Sequence, residues 1–365
     1  MTDTNMQAGG VLPIQALRAL VTSGGITAGV PVLDAQYQPA SLDLRLGARA
    51  YRVRASFLAG RDARVAERLD AFAMHEMDLS QGAVLEKGCV YLVPLIEGLD
   101  LPATVRAVAN AKSSTGRLDL LTRTITDYGS EFDRIPEGYR GPLWAEICPR
   151  SFSVLVRTGM RLNQIRFRTA DTTLDDAALA ALHSDVGLVD GPAHIDGGLG
   201  FSVDLEPGGA GIVGYRAKPH TGVIDLDRIG AYGMADFWDT LRSDTNGLIL
   251  DPGAFYILVS REAVHIPPDY AAEMAPYMAL VGEFRVHYAG FFDPGFGHAQ
   301  AGGRGSRGVL EVRCHEAPFL LEHGQRVGRL VYERMATRPE KLYGADFASN
   351  YQGQGLKLSK HFRTD

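Results

Sequence analysis

Residues from Gly88, GCVYLVPLIEGLDLPATVRAVANAKSS, and residues from Gly253, GAFYILVSREAVHIPPDYAAEMAPYMA, follow one pattern. Each reads glycine, an aromatic β-run, a polar turn, an apolar residue before proline, and then a mostly helix-forming run. The displacement is 165 residues and holds far downstream: Tyr91 matches Tyr256, Pro102 matches Pro267, and Glu146 in LWAEI matches Glu311 in VLEV. Gly159 and Gly324 keep the same spacing, as do Phe167 and Tyr332. Strand–turn–strand patterns resemble one another in any β-protein, but an offset that stays constant and keeps both glycines and glutamates points to duplication. The chain is therefore expected to hold two copies of one domain, residues 1–185 and 186–365. Its length of 365 residues agrees, because single cores stop growing well before that size.

Within each copy, short runs such as VYLVPL, FSVLV, FYILV and RVGRLVY are separated by glycine, proline and aspartate. With 42 glycines, this punctuation favours an all-β sandwich or barrel over alternating strands and helices. Two stretches have helical spacing: IQALRALVTSG from Ile14 to Gly24, and DTTLDDAALAALHSDVG from Asp171 to Gly187, the latter expected in the connection between the domains. Cys89, Cys148 and Cys314 are distant and never in CxxC spacing, so they read as buried thiols rather than as disulfides or a zinc site. The net charge of −6 gives no positive field for a nucleic-acid backbone, so an anionic ligand must be met by a local cluster. Neither a secretory leader nor a membrane-length apolar run is present in the sequence, which predicts a soluble cytoplasmic protein.

Four motifs carry chemistry. AKSSTGR places Lys112, Ser113, Ser114 and Arg117 within one turn. Two hydroxyls and two cations suit phosphate oxygens, and the same residues would also serve as a capped helix start with solvated cations. FFDPGFG is a turn signature: Asp293 could accept from a sugar hydroxyl with Phe291 or Phe296 as a stacking ring, or the motif is only a tight turn over a small core. Glu146 and Glu311 interrupt apolar strands. By strand alternation Glu311 shares a face with Val309, opposite Leu310 and Val312. In a cleft, burial would raise such a carboxyl's pKa and let it exchange protons near neutrality, whereas on an open face it is an ordinary solvated residue. The C-terminal SNYQGQGLKLSKHF, Ser349 to Phe362, reads either as a tail that closes over a ligand or as a disordered end. His220, His287 and His298 are too isolated to form a metal site.

The copies diverge where this chemistry sits. At the positions matching KSSTGR the second copy has YMALVG, Tyr277 to Gly282, with neither hydroxyl nor cation. The first copy in turn has DYGSEFDRIP where the second has YAGFFDPGFG.

QPASLDLRLG (Gln38 to Gly47), AKSSTGRLDL, FFDPGFG followed by GVLEV, and SNYQGQG together resemble the dCTP deaminases of the trimeric dUTPase-like superfamily, most closely their long double-domain bacterial form. The resemblance covers essentially the whole chain. It implies two tandem distorted jelly-roll β-domains and hydrolytic deamination of dCTP to dUTP and ammonia by a homo-oligomer, with neither nucleic acid nor membrane as partner. It places triphosphate binding on Lys112, Ser113, Ser114 and Arg117, with lysine where arginine is usual. Asp293 becomes the sugar-contacting aspartate, Ala289 lies near the base, and Glu311 is the proton-shuttling glutamate, flanked by Val309 and Leu310 as substrate-binding positions. The tail motif falls on Tyr343, Asn350 and Gln354, with Asn350 where lysine is common. Gly290 and Phe291 stand where histidine and arginine are usual, and His298 to Arg307 is an insertion. Glu146 is left with at most a residual role.

Zinc-dependent nucleobase deaminases carry H-x-E with P-C-x-x-C, and this chain carries neither. A metal-free attack of water at cytosine C4 is the expectation, with Mg²⁺ bound only through the substrate triphosphate. The expected composite site joins Ser113, Ser114 and Arg117 of one copy to Asp293 and Glu311 of the other. The competing readings are a dUTP diphosphatase, a bifunctional deaminase and diphosphatase, and a non-catalytic nucleotide-binding regulator.

Overall fold

A computed structural model describes residues 9–206, 211–242, 247–276, 284–287, 290–299, 303–344, 353 and 355–363, with residues 276 and 284–287 described by backbone alone. The chain forms two compact units, Met1–Asp171 with Gly222–Ala231, and Thr172–Thr221 with Tyr232–Asp365. Both are mainly β, as the glycine and aspartate punctuation requires.

The first unit is organised by β1 (Leu42–Arg45), β2 (Val90–Asp100), β3 (Arg106–Ala111), β4 (Leu120–Thr126), β5 (Arg140–Pro149) and β6 (Arg161–Arg168). One sheet holds β5 between β2 and β4, and another holds β6 between β1 and β3, all antiparallel. The second unit repeats this with β7 (Leu199–Ser202), β8 (Phe255–Val264), β9 (Tyr270–Pro276), β10 (Phe284–His287), β11 (Ser306–Cys314) and β12 (Arg326–Arg334). Here β11 lies between β8 and β10, and β12 between β7 and β9.

The register repeats as well. Tyr91 faces Ile147 and Leu92 faces Glu146, while Tyr256 faces Val312 and Ile257 faces Glu311. The phenol oxygen of Tyr91 accepts from the Glu86 amide at 2.9 Å, and that of Tyr256 accepts from the Asp251 amide at 2.7 Å. Gly159 donates to the Leu46 carbonyl at 2.8 Å and Gly324 to the Val203 carbonyl at 2.9 Å, both with positive φ (82° and 74°). Only glycine takes that backbone without strain, which explains why both copies keep it.

One expectation fails in both copies alike. The run after Pro102 and Pro267 reads as helix-forming, but Arg106–Ala111 and Tyr270–Pro276 are strands. Each has ladder partners along both edges: β3 lies between β6 and the strand Arg134–Ile135, and β9 between β12 and the strand Phe291–Phe292. Those tertiary hydrogen bonds outweigh the small helix preference of alanine.

The two helical spacings hold. Helix Ile14–Thr22 buries Ile14, Leu17 and Leu20. Helix Asp176–Val186 begins where the Asp175 carboxylate accepts from the Ala178 amide at 2.8 Å. It is more than a connection, since Leu179 joins the apolar core of the second unit with Phe201, Tyr256, Leu258, Leu310, Val312 and Tyr332. Of the thiols only Cys314 is buried; Cys89 and Cys148 are half-buried, which corrects the expectation of three core thiols. Among the described residues, no helix is long and apolar enough to cross a membrane.

Candidate active site

Strand β3 ends at Ala111, and the chain turns at once into the single helical turn Ser113–Gly116. The amides of Thr115 and Gly116 donate to the Lys112 carbonyl at 2.8 and 2.9 Å, and that of Arg117 to the Ser113 carbonyl at 3.1 Å. Lys112, not a serine, occupies the N-cap position, and its side chain makes no cap hydrogen bond. The serine-capped helix start is therefore excluded. Ser113 and Ser114 are half-buried, while Thr115 and Arg117 are buried.

Lys112 has a partner within the first unit. Its ammonium donates to the carboxylate of Asp43, which is 1 % exposed and lies 3.5 Å from Arg161 Nη1. That carboxylate is shared between the Lys112 ammonium and the Arg161 guanidinium. Asp43 escaped the sequence analysis although it lies in QPASLDLRLG. Its signal was an acid between two leucines on a strand, Leu42–Arg45, that is buried along its whole length.

The two glutamates are register-matched. Glu146 is 2 % exposed and is bonded by Arg123 through both Nε, at 3.1 Å, and Nη2. The same guanidinium also donates to Ser56 and lies 3.5 Å from the ring centre of Phe132. Glu146 is thus a buried carboxylate paired with a half-buried arginine. Glu311 is 5 % exposed, and alternation holds around it: Leu310 and Val312 point into the core, and Val309 shares the face of Glu311. The side chain of Leu310 is consequently a packing group.

Asp293 is buried at the turn that follows the strand Phe291–Phe292. The Phe296 amide donates to the Asp293 carbonyl at 3.1 Å, and Gly295, at φ +97°, donates to the Ile266 carbonyl at 3.0 Å. Phe292 and Phe296 pack edge to face at 5.1 Å inside the core, so Phe296 is a core ring rather than a stacking platform. The turn also anchors the approach to the tail. The Tyr343 amide donates to the Pro294 carbonyl at 2.9 Å, and the Tyr343 ring lies 5.6 Å from that of Phe296. Two motifs separated by fifty positions in the chain thus meet in one place.

Ala289, Asn350 and Gln354 lie outside the described residues, as does the YMALVG stretch. The far end of the tail is held down: Leu358, Ser359, His361 and Phe362 are buried, and Phe362 packs on Tyr232, Phe237 and Trp238. The disordered-end reading fails there. Among the described residues, Asp204, Glu206 and His323 bring carboxylate and imidazole atoms within 4.8 Å of one another. Arg307 donates to Asp204, and His323 Nδ1 accepts from the Leu205 amide at 3.1 Å.

A duplicated antiparallel β-unit, with a serine turn in one copy and a buried aspartate turn and strand glutamate in the other, has the dUTPase-like fold. Comparison with known proteins is more specific. The model for the 2'-deoxycytidine 5'-triphosphate deaminase N-terminal domain matches residues 8–171, and that for the C-terminal domain of the same enzyme matches residues 175–362. The crystal structure of 2'-deoxycytidine 5'-triphosphate deaminase from Agrobacterium tumefaciens is 57 % identical, with a TM-score of 0.87 over 90 % of this chain and 100 % of that one. A dCTP deaminase, dUMP-forming, of Leifsonia xyli subsp. xyli is 35 % identical over 32 % of this chain and 59 % of its own. Another of that name from Methanosphaera stadtmanae is 34 % identical over 44 % of this chain and 78 % of its own. The chain spans only 59 % of the length of the Leifsonia relative. It belongs to the 2'-deoxycytidine 5'-triphosphate deaminase family.

Proposed function

We propose that this protein hydrolytically deaminates dCTP, with Glu311 moving the protons and Ser113, Ser114 and Arg117 holding the triphosphate. The observation that carries this reading is the burial of Glu311 on the non-core face of its strand, in the copy that keeps the buried Asp293. The matching Glu146 is held by the half-buried Arg123. Deamination at C4 needs a base to deprotonate the attacking water and an acid to protonate N3 and the departing ammonia. One carboxyl alternating between its two forms performs both tasks. Asp293 binds the sugar hydroxyl, and Mg²⁺ arrives on the triphosphate as part of the substrate. The protein acts as a cytoplasmic homo-oligomer.

The names of the relatives favour a second activity. Several are dUMP-forming, so the product would be dUMP after loss of pyrophosphate, with Asp293 available to act on water at the phosphate. Ammonia and pyrophosphate release from dCTP, CTP, dCMP and dUTP, measured side by side with and without Mg²⁺, separates the cases. Glu311→Gln should lower ammonia release by about 10²–10⁴-fold. Glu146→Gln should retain it and instead shift the urea midpoint downward. The reverse pattern, or tight nucleotide binding without ammonia release, would sink the proposal. Activity that survives a zinc chelator once Mg²⁺ is restored would support the metal-free route.

A further inference from the structure

The repeat extends to a small sheet whose outer edge is covered in one unit and open in the other. In the first unit the strand Val154–Val156 pairs antiparallel with Ala83–Leu85, Leu155 facing Val84. In the second unit Phe319–Glu322 pairs antiparallel with Gly247–Leu250, Leu320 facing Ile249. The displacement is again 165 residues in both strands, so Phe319 stands where Val154 does, Leu320 where Leu155 does, and Glu322 where Arg157 does.

In the first unit the segment Gly222–Ala231 covers the outer edge of Val154–Val156. It runs parallel, with Ile224 registered to Val154 and Asp225 to Leu155. The Ile224 amide donates to the Ser153 carbonyl at 3.0 Å, and the Leu226 amide to the Leu155 carbonyl at 3.2 Å. Arg157 fixes the segment in place, donating to Asp225 at 2.7 and 3.1 Å and to Asp227 at 2.8 Å.

The second unit carries the same edge without a third strand. Among the described residues, Phe319–Glu322 pairs with Gly247–Leu250 alone. The cross-strand neighbours Ile249 and Leu320 are 63 % and 56 % exposed, whereas the matching Val84 and Leu155 are half-buried. An uncovered strand edge beside exposed apolar side chains is a template for another strand. Because the register is the same, the carbonyls of Pro318 and Leu320 stand where those of Ser153 and Leu155 accept. The charge at the anchoring position is reversed. Glu322 is exposed and its amide donates to the Gln325 side chain at 3.1 Å, while among the described residues no cation meets its carboxylate. Where Arg157 selects a segment with two aspartates, a carboxylate selects a basic segment and repels an acidic one.

We propose that the Phe319–Glu322 edge docks an extended basic segment of a partner protein as a parallel third strand. The segment alternates apolar and basic residues. An apolar residue is registered with Phe319 as Ile224 is with Val154, and the basic residues reach Glu322 as Asp225 and Asp227 reach Arg157. Backbone hydrogen bonds supply the pairing, and the charge of Glu322 supplies the choice of partner.

The covering segment of the first unit supplies the probes. One labelled peptide has the native sequence of residues 222–228, GVIDLDR, and the other has lysine in place of both aspartates, GVIKLKR. Fluorescence anisotropy with the full-length protein follows binding at low salt, where exposed charges are least screened. GVIKLKR should bind and shift the methyl NMR signals of Ile249 and Leu320, and GVIDLDR should bind at least about fivefold more weakly. Glu322→Arg alters an exposed side chain, and circular dichroism verifies that the variant folds; it should reverse the order of the two peptides. No binding of GVIKLKR by the wild type, or the same preference in wild type and variant, overturns the proposal. Concentration-dependent methyl shifts of Ile249 and Leu320 with no peptide bound would assign the edge to a second copy of this chain, which overturns it too.

Discussion

Leu310 and Glu311 are neighbours on β11 with opposite tasks, because successive strand side chains leave opposite faces of the sheet. Leu310 is fully buried in the apolar core, and Glu311 is buried on the face it shares with Val309. Leu310→Ala should cost about 2–5 kcal/mol by transfer and cavity terms together, read from chemical denaturation. Glu311→Gln, which is nearly isosteric, should leave that midpoint almost unmoved while ammonia release falls. A similar stability loss in both variants would mean that the face of Glu311 is also structural. At this scale the sequence was informative about position and silent about partners. Alternation places Glu311 opposite the core, but neither the Arg123 clamp on Glu146 nor the Asp43 bond to Lys112 has a local signature, since each joins residues from separate segments of the chain.

At the scale of elements, propensity succeeded where a segment packs one face and failed where it is paired on two edges. Ile14–Thr22 and Asp176–Val186 are helices as their spacing predicts, but the alanine-containing runs Arg106–Ala111 and Tyr270–Pro276 are strands. A second surprise is that Gly222–Ala231 belongs to the first unit although its neighbours in sequence belong to the second. It is held by a short parallel pairing of Ile224 and Asp225 with Val154 and Leu155, and by Arg157, which bonds Asp225 at 2.7 and 3.1 Å. The hydrogen bond from Arg157 holds the Asp225 carboxyl below the ordinary aspartate value of 3.8. The folded state thus favours the charged form, so the bridge is fully present above that value and is lost as pH falls through the lower folded one. Asp225→Asn should speed amide exchange at Ile224 and Leu226 at neutral pH. Wild-type protection should approach that of the variant only in acid below pH 3.8. Equal exchange rates at neutral pH would show that the backbone pairing alone holds the segment.

For the whole molecule, one titrating group gives the acid limb of stability a defined direction. Burial first, and then electrostatic interaction with His265 and Arg338, push the His298 pKa below the usual 6.5. The folded state then binds fewer protons than the unfolded chain, so its contribution is complete above 6.5 and is lost as pH falls from there toward the lower folded value. Tm measured from pH 8 to pH 5 should decline more steeply in the wild type than in His298→Gln, and parallel curves would remove the histidine from the account.

Duplication, β-class and the division of motifs between the copies were all legible in the sequence. A repeated fold must repeat its turn glycines, strand alternation and core positions at fixed spacing, and sequence records spacing directly. Which charges neutralise one another was decided only by the tertiary structure, because strand pairing brings together side chains whose separation along the chain bears no relation to their distance in space. Asp43 and Lys112 meet that way, as do Arg123 and Glu146.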